Sequence, residues 1–290
     1  MTGGGDSDVA RRLWRLFEPV HAVTYFAPEA RAAADGLGLR GFWAGYVAQR
    51  AAPLGAVGAP AATAAFFGFH PDRIAEALDD TWRVTSPAAA LAARRGGVDA
   101  ALRRLWGEDL LASPEVAEAA ELAGRAAAAA DCAGRVLAAV NQALPPSGPP
   151  HLALWQATTT LREHRGDGHV AVLVARGVGP VQAHLLKAAT GEADGEVLRR
   201  GRRFPEQVWH QGVEDLGRAG LLAADGQATP AGRRLHEQIE AATDAAAAGP
   251  WQALGASATA RLAALLAPLA GAVVRSGTLP APNPIGLTWP

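Results

Sequence analysis

Cysteine is all but missing from this chain of 290 residues: Cys132 stands alone, so neither an internal disulfide nor a multi-cysteine metal site can form. Lysine is equally scarce, with Lys187 the single one among 27 basic residues, and the only methionine is Met1. Acids and bases nearly cancel to a formal net charge of −1, which excludes the strongly basic balance of a protein that coats nucleic acid. No uncharged apolar run reaches the ~18 residues of a membrane span. The nearest, Leu262 to Val274, is short and holds Pro268, so no membrane partner is expected. The residues before Val9 are mainly Gly, Asp and Ser with no apolar h-region, so no secretory signal is read there and the expected location is the cytoplasm. The phosphate-binding loop, the nucleophile elbow and the HExxH zinc helix are also absent from the sequence, and no GxGxxG follows a strand.

What is abundant is alanine, leucine, valine and glycine, with 49% hydrophobic residues, enough to bury a sizeable core. Apolar residues recur at helical spacing from Val9 through Leu13, Leu16, Phe17 and Val20, and Pro28, Pro71 and Pro87 stand where helices open. Ser113 followed by Pro114 and Glu115 opens a connecting helix, and Pro145 to Pro150 reads as a linker. A last helix spans residues 256–275, followed by a proline-rich tail anchored by Leu279, Ile285 and Trp289.

Several short patterns repeat in order. Leu13-Trp14 returns as Leu154-Trp155, and Gly36-Leu-Gly38 as Gly177-Val-Gly179, both 141 positions on. Phe69-His-Pro71 resembles Phe204-Pro205, and Ser86-Pro87 resembles Thr229-Pro230. The shared order and near-constant spacing, 141 for the first two and about 135 and 143 for the others, point to an internal duplication. In the second copy a short helix to Arg203 is followed by a break, then a helix from Pro205. Leu221-Leu222, the turn pair Asp225-Gly226 and Gln227-Ala228 come next, and Thr229 opens a closing helix. Helix, turn, helix, two-stranded wing, helix is a winged helix.

The run from Gly220 to Leu235 with Glu237-Gln-Ile-Glu240 resembles the wing and closing helix of MarR-type regulators. The chain as a whole, roughly Arg11 to Leu266, is similar to an actinobacterial family of helix-turn-helix proteins in which Glu18-Pro-Val-His21 and Arg162 to His169 recur. The resemblance implies a mainly α fold of tandem, duplicated winged helix-turn-helix domains with short two-stranded wings. The expected division is an N-terminal degenerate winged helix over 9–110, a connecting helix and linker over 111–150, a C-terminal winged helix over 151–246, and a closing helix and tail over 247–290. A monomer with an internal pseudo-twofold, or a homodimer, would follow.

Two candidate sites emerge. The first gathers around Leu161 to His169, where two histidines, two acids and two arginines fall within nine residues. Gly166 and Gly168 suggest that a helix ends there and turns His164 and His169 to one place. The duplication would bring Glu18, His21 and Tyr25 opposite Glu163, His164, Asp167 and His169, with Trp43 in an adjoining aromatic wall. A buried hydrogen-bonded network, a small-molecule site, and a metal or haem site on His21, His164 and His169 are all consistent with these residue types. In the last case the scaffold would serve as an enzyme or cofactor carrier; an adaptor with no pocket is a third reading. The second site is a DNA-reading head, with Arg199, Arg200, Arg202 and Arg203 placed to hold phosphates and Gln207, His210 and Gln211 to face bases. Against it, the wing Asp225 to Ala228 has no basic residue, Glu206, Glu214 and Asp215 sit on the reading helix, and the first-half counterpart carries Asp72, Glu76, Asp79 and Asp80. The combined expectation is a small-molecule-binding, regulator-like protein with at most one DNA-reading half.

Overall fold

A computed structural model describes residues 3–145, 148–280 and 285. In chain order its α-helices are α1 (Gly3–Phe26), α2 (Pro28–Asp35), α3 (Phe42–Ala51), α4 (Ala59–Phe66), α5 (Pro71–Leu78), α6 (Thr81–Val84), α7 (Pro87–Leu111) and α8 (Pro114–Ala128). They continue as α9 (Val136–Gln142), α10 (Pro150–Ala175), α11 (Pro180–Ala189), α12 (Gly195–Arg202), α13 (Glu206–Arg218), α14 (Pro230–Ala246), α15 (Gly249–Leu254) and α16 (Ala256–Arg275). Capping side chains define several starts. Ser86 Oγ accepts the Ala89 amide at 3.1 Å, Ser113 Oγ that of Val116 at 3.3 Å, and Asp194 Oδ1 that of Val197 at 2.8 Å. In each case the cap satisfies an amide that the first turn leaves without an intrahelical acceptor.

The chain forms two compact units, each assembled from separated stretches. The first comprises the residues up to Val57, Ala77–Gly168 and Asp244–Pro280. There α2 lies against α7 at a spacing only small residues permit: a Cβ added to Gly97 would come 2.7 Å from Ala30 Cα. Here α16 packs on α1 and α8, burying Leu262, Leu266, Leu269 and Val273. Among the described residues α16 is the one helix long and apolar enough to cross a membrane. It extends the apolar run beyond both ends seen in the sequence; its buried leucines lie on one face, packed on α1 and α8, and its other face is exposed.

The second unit is built on Gly58–Glu76 and His169–Thr243. Its core holds Leu173, Val181, Leu185, Leu186, Phe204, Leu216, Leu222 and Ile239. α13 crosses α11 at Gly212, where an added Cβ would meet Val181 Cγ1 at 2.6 Å and Leu185 Cδ1 at 2.8 Å.

The expected tandem winged helices are overturned. Among the described residues there is no β-strand; the predicted wing is a turn held by one antiparallel bridge between Leu222 and Ala228. The physical reason is how little chain is free to pair. Ala223 N–H reaches Gln227 O at 2.9 Å and Thr229 N–H reaches Leu221 O at 3.0 Å, which makes one bridge, while Ala228 N–H points outward from that bridge to Ala189 O at 3.1 Å, at the end of α11. Thr229 is already committed as the cap of α14, its Oγ1 accepting the Gly232 amide at 3.1 Å. Too little extended chain is left for a ladder. The N-terminal half likewise has no wing among its described residues. The anticipated break at Gly166 and Gly168 is also absent, because α10 runs unbroken from Pro150 to Ala175. Trp289 lies outside the described residues, as do Pro146 and Ser147 of the linker.

Candidate functional site: a buried polar centre and an exposed helix-turn-helix

The first unit buries a polar centre between α1, α3, α7 and α10. Glu18, His21 and Glu163 are each about 1% exposed, and Arg50 and Arg94 are below 10%. Arg50 grips Glu163 with two parallel bonds, Nε to Oε1 at 3.0 Å and Nη2 to Oε2 at 2.9 Å. Arg162 Nη1 adds a third to Oε2 at 2.8 Å. Burial alone would raise the Glu163 carboxyl, but these guanidiniums hold it far below the usual range, so it is ionised. Glu18 behaves oppositely. Its Oε2 accepts the Trp14 indole N–H at 2.8 Å, Arg162 is 3.8 Å from Oε1, and burial raises its pKa.

His21 is neutral, its pKa pushed well down by burial and then by Arg162. Its tautomer follows from its neighbour. Thr159 Oγ1 donates its proton to Trp155 O at 2.9 Å, so it can only accept from His21 Nδ1 at 3.0 Å. The Nε2 lone pair is then the bare one, and that atom is buried with no partner. Tyr25 stands edge-on to His21 with ring centres 5.0 Å apart. Trp43 packs on Phe42 and Tyr46, at 5.0 and 5.6 Å.

The other members of the predicted cluster go elsewhere. On a continuous helix, neighbours are turned by about 100°, so His164 faces away from Glu163. Arg135 Nη1 donates to its carbonyl at 2.5 Å, and burial, followed by Arg135, lowers its pKa to about 4. Asp167 Oδ2 accepts the Ala138 amide at 2.9 Å near the start of α9, and burial raises its pKa to about 6. His169 belongs to the second unit, where its Nδ1 meets Thr243 Oγ1 at 2.9 Å; that hydroxyl is itself donated to Ile239 O. Among the described residues no three His, Cys, Asp or Glu side chains form a metal-holding group. His151, which reads as a linker residue, is buried in α10 and bonds Asp99 Oδ1 at 2.6 Å.

Sequence reasoning missed Arg50, which grips Glu163, and Arg94, which donates to the Gln49 carbonyl. Arg50 was legible only as a lone arginine on an apolar helix, and Arg94 only as one of four arginines on α7. Arg94 has no carboxylate within ion-pair distance among the described residues. It donates to Gln49 O at 3.2 Å, reaches Asn141 Oδ1 at 3.4 Å and lies over the Trp155 ring at 5.2 Å. Burial brings its pKa down to about 10. Beside this centre, between the end of α1, α2 and α3, lies a cavity of about 20 Å³ lined by Thr24, Tyr25, Arg31, Phe42, Tyr46 and Gln49.

The second unit presents α12, a turn and α13. Arg203 takes a left-handed φ of 62° at the turn, Phe204 plugs into the core, and Pro205 starts α13. The arginines diverge. Arg199 and Arg200 both pair with Glu196, whose carboxyl is held down to about 2 first by the Arg199 hydrogen bond. Arg202 lies over the Phe69 ring at 4.2 Å, and Arg203 pairs with Glu76 of α5. The start of α5 is tied to the end of α12, His70 N–H to Arg202 O at 3.0 Å and Arg73 Nη2 to Arg200 O at 3.2 Å. On α13, Gln207, His210, Gln211 and Glu214 are exposed while Gly212 and Leu216 are buried. Gln211 reaches Asp215 Oδ1 at 2.9 Å.

No curated protein and no solved structure matches this sequence. One family model does, described as a helix-turn-helix family, and it aligns with residues 10–280, nearly the whole chain; the protein belongs to that helix-turn-helix family.

Proposed function

We propose that this protein is a regulator-like DNA-binding protein that reads duplex DNA with α13 of its second unit. The observation that supports this best is the outer face of α13, where Gln207, His210 and Gln211 are exposed on a helix anchored by Gly212 and Leu216. Side-chain amides pair with adenine edges in the major groove. Arg200 and Arg203, both exposed at the turn leading into α13, are placed to hold phosphates on either side.

The acids nearby set the character of the binding. Arg199 and Arg200 pair with Glu196 and Arg203 with Glu76, so phosphates must displace carboxylates. Exposed pairs of this kind exchange readily, and the affinity should be modest and steep in salt. The turn in place of a wing adds no positive charge. α5, with Asp72, Glu76 and Arg73 in its first two turns, offers no second head, so an operator with two half-sites takes two chains.

The test is fluorescence anisotropy of labelled duplexes from the DNA flanking the gene, from 50 to 200 mM salt. Wild type should bind with a linear log–log salt dependence, and the double variant Arg200→Ala, Arg203→Ala should show a slope shallower by about two. Absence of binding to every duplex at 50 mM salt would sink the proposal.

A further inference from the structure

The cavity in the first unit is too small for a drug-sized molecule, and its chemistry is specific. Thr24 and Gln49, 6% and 4% exposed, both line it. Thr24 Oγ1 and Gln49 Nε2 are buried and have no hydrogen-bond partner. Tyr25 and Tyr46 bring two phenols to the same wall, and Tyr46 Oη already accepts from Arg50 Nη1 at 3.4 Å. Thr24 Oγ1 and Gln49 Nε2, each able to donate, thus lie unsatisfied on residues that line this space.

The surrounding charge has a sign. Arg50 and Arg162 are set against Glu163 and Glu18, while Arg94 has no carboxylate within ion-pair distance among the described residues. Gln49 links the two features, since its carbonyl takes the Arg94 guanidinium while its side chain lines the cavity. At the rim, Phe42 is 37% exposed, and Arg31 is engaged by Asp35 at 2.9 Å. An isolated buried cation is expensive, and unpaired buried donors add to that penalty. A small anion with oxygen acceptors would relieve both.

We infer that the cavity bounded by Thr24, Tyr25, Tyr46 and Gln49 is a binding site for a short-chain carboxylate, whose oxygens take the Gln49 Nε2 and Thr24 Oγ1 donors and whose alkyl end lies toward Phe42. The site is independent of the DNA-binding reading and stands or falls separately. Room for one or two small groups limits the ligand to the size of formate, acetate or propionate. An ordered water would satisfy the donors but not the charge.

The experiment measures thermal unfolding of the full chain at pH 7.5 with sodium formate, acetate or propionate, against sodium chloride at equal ionic strength. Acetate should raise the midpoint saturably by about 3 °C. Gln49→Leu and Thr24→Val each remove a donor that is unpaired in the free protein, so both should melt no lower than wild type in chloride and lose the acetate response. Saturation-transfer NMR on the acetate methyl, with formate as competitor, gives an answer from the wild type alone. No saturable shift and no competed transfer would mean that water alone fills the cavity, and would overturn the inference. A shift retained in full by Gln49→Leu would overturn it too.

Discussion

At the scale of single residues, the polar centre is governed by Glu163. It compensates two guanidiniums at once, so Glu163→Gln leaves the buried Arg50 without its counter-charge and the half-buried Arg162 with Glu18 alone. We expect a loss of ~3–5 kcal/mol in chemical denaturation; an unchanged midpoint would show that the centre is not ionised as described. Buried His164 and half-buried His184 shape the response to acid. Burial takes His184 down to about 3, with its Nε2 on Gly68 O at 2.8 Å, and His164 to about 4, both from 6.5. As pH falls below 6.5 the unfolded chain gains protons that these folded rings refuse, so each drains stability across that window. Asp167 opposes them. Its folded carboxyl protonates at about 6 and its unfolded one at 3.8, so acid stabilises the fold through it between those values. Two histidines outweigh one aspartate, and the melting temperature should drop from pH 6.5 to 4.5. His184→Gln, which keeps a donor for Gly68 O, should flatten that drop; an identical pH profile would contradict the assignment.

At the scale of elements, α13 is held in place by the absence of a side chain. Gly212→Ala puts a methyl within 3 Å of both Val181 and Leu185, and should destabilise the second unit by ~1–3 kcal/mol while weakening DNA binding. A fully stable variant would mean that α11 yields easily. Elements were also where the sequence was most readable. Ser86, Ser113 and Thr229 announced helix starts because a short hydroxyl before a first turn has one good use there. The break at Arg203-Phe204 likewise marked the turn before α13. The wing misled because Asp225-Gly226 does specify a reverse turn, but the chain that pairs on either side of it makes only one bridge, too short for a ladder. Glycines 166 and 168 misled in a related way. Arg135 fills the space beside Gly168, its Nη1 2.5 Å from where a Cβ would sit, so that glycine makes room for a side chain instead of ending a helix. Arg50 and Arg94 were invisible as site residues, since their partners lie 113 and 45 to 47 residues away in the chain.

At the scale of the whole molecule, the two units differ in kind: one holds a buried polar centre, the other exposes α13, the helix proposed to read DNA. The family assignment covers both, but the account of function rests on the second, where α13 is to lie against DNA. The most direct measurement is site-specific photo-crosslinking. A benzophenone side chain at Gln207, exposed on α13, is irradiated with labelled duplex DNA and compared with the same group at Glu115, exposed in the first unit. The account predicts an adduct from position 207 that fades as salt rises and little from 115. Equal labelling at both positions, or none at 207 under conditions where the protein shifts DNA, would contradict it.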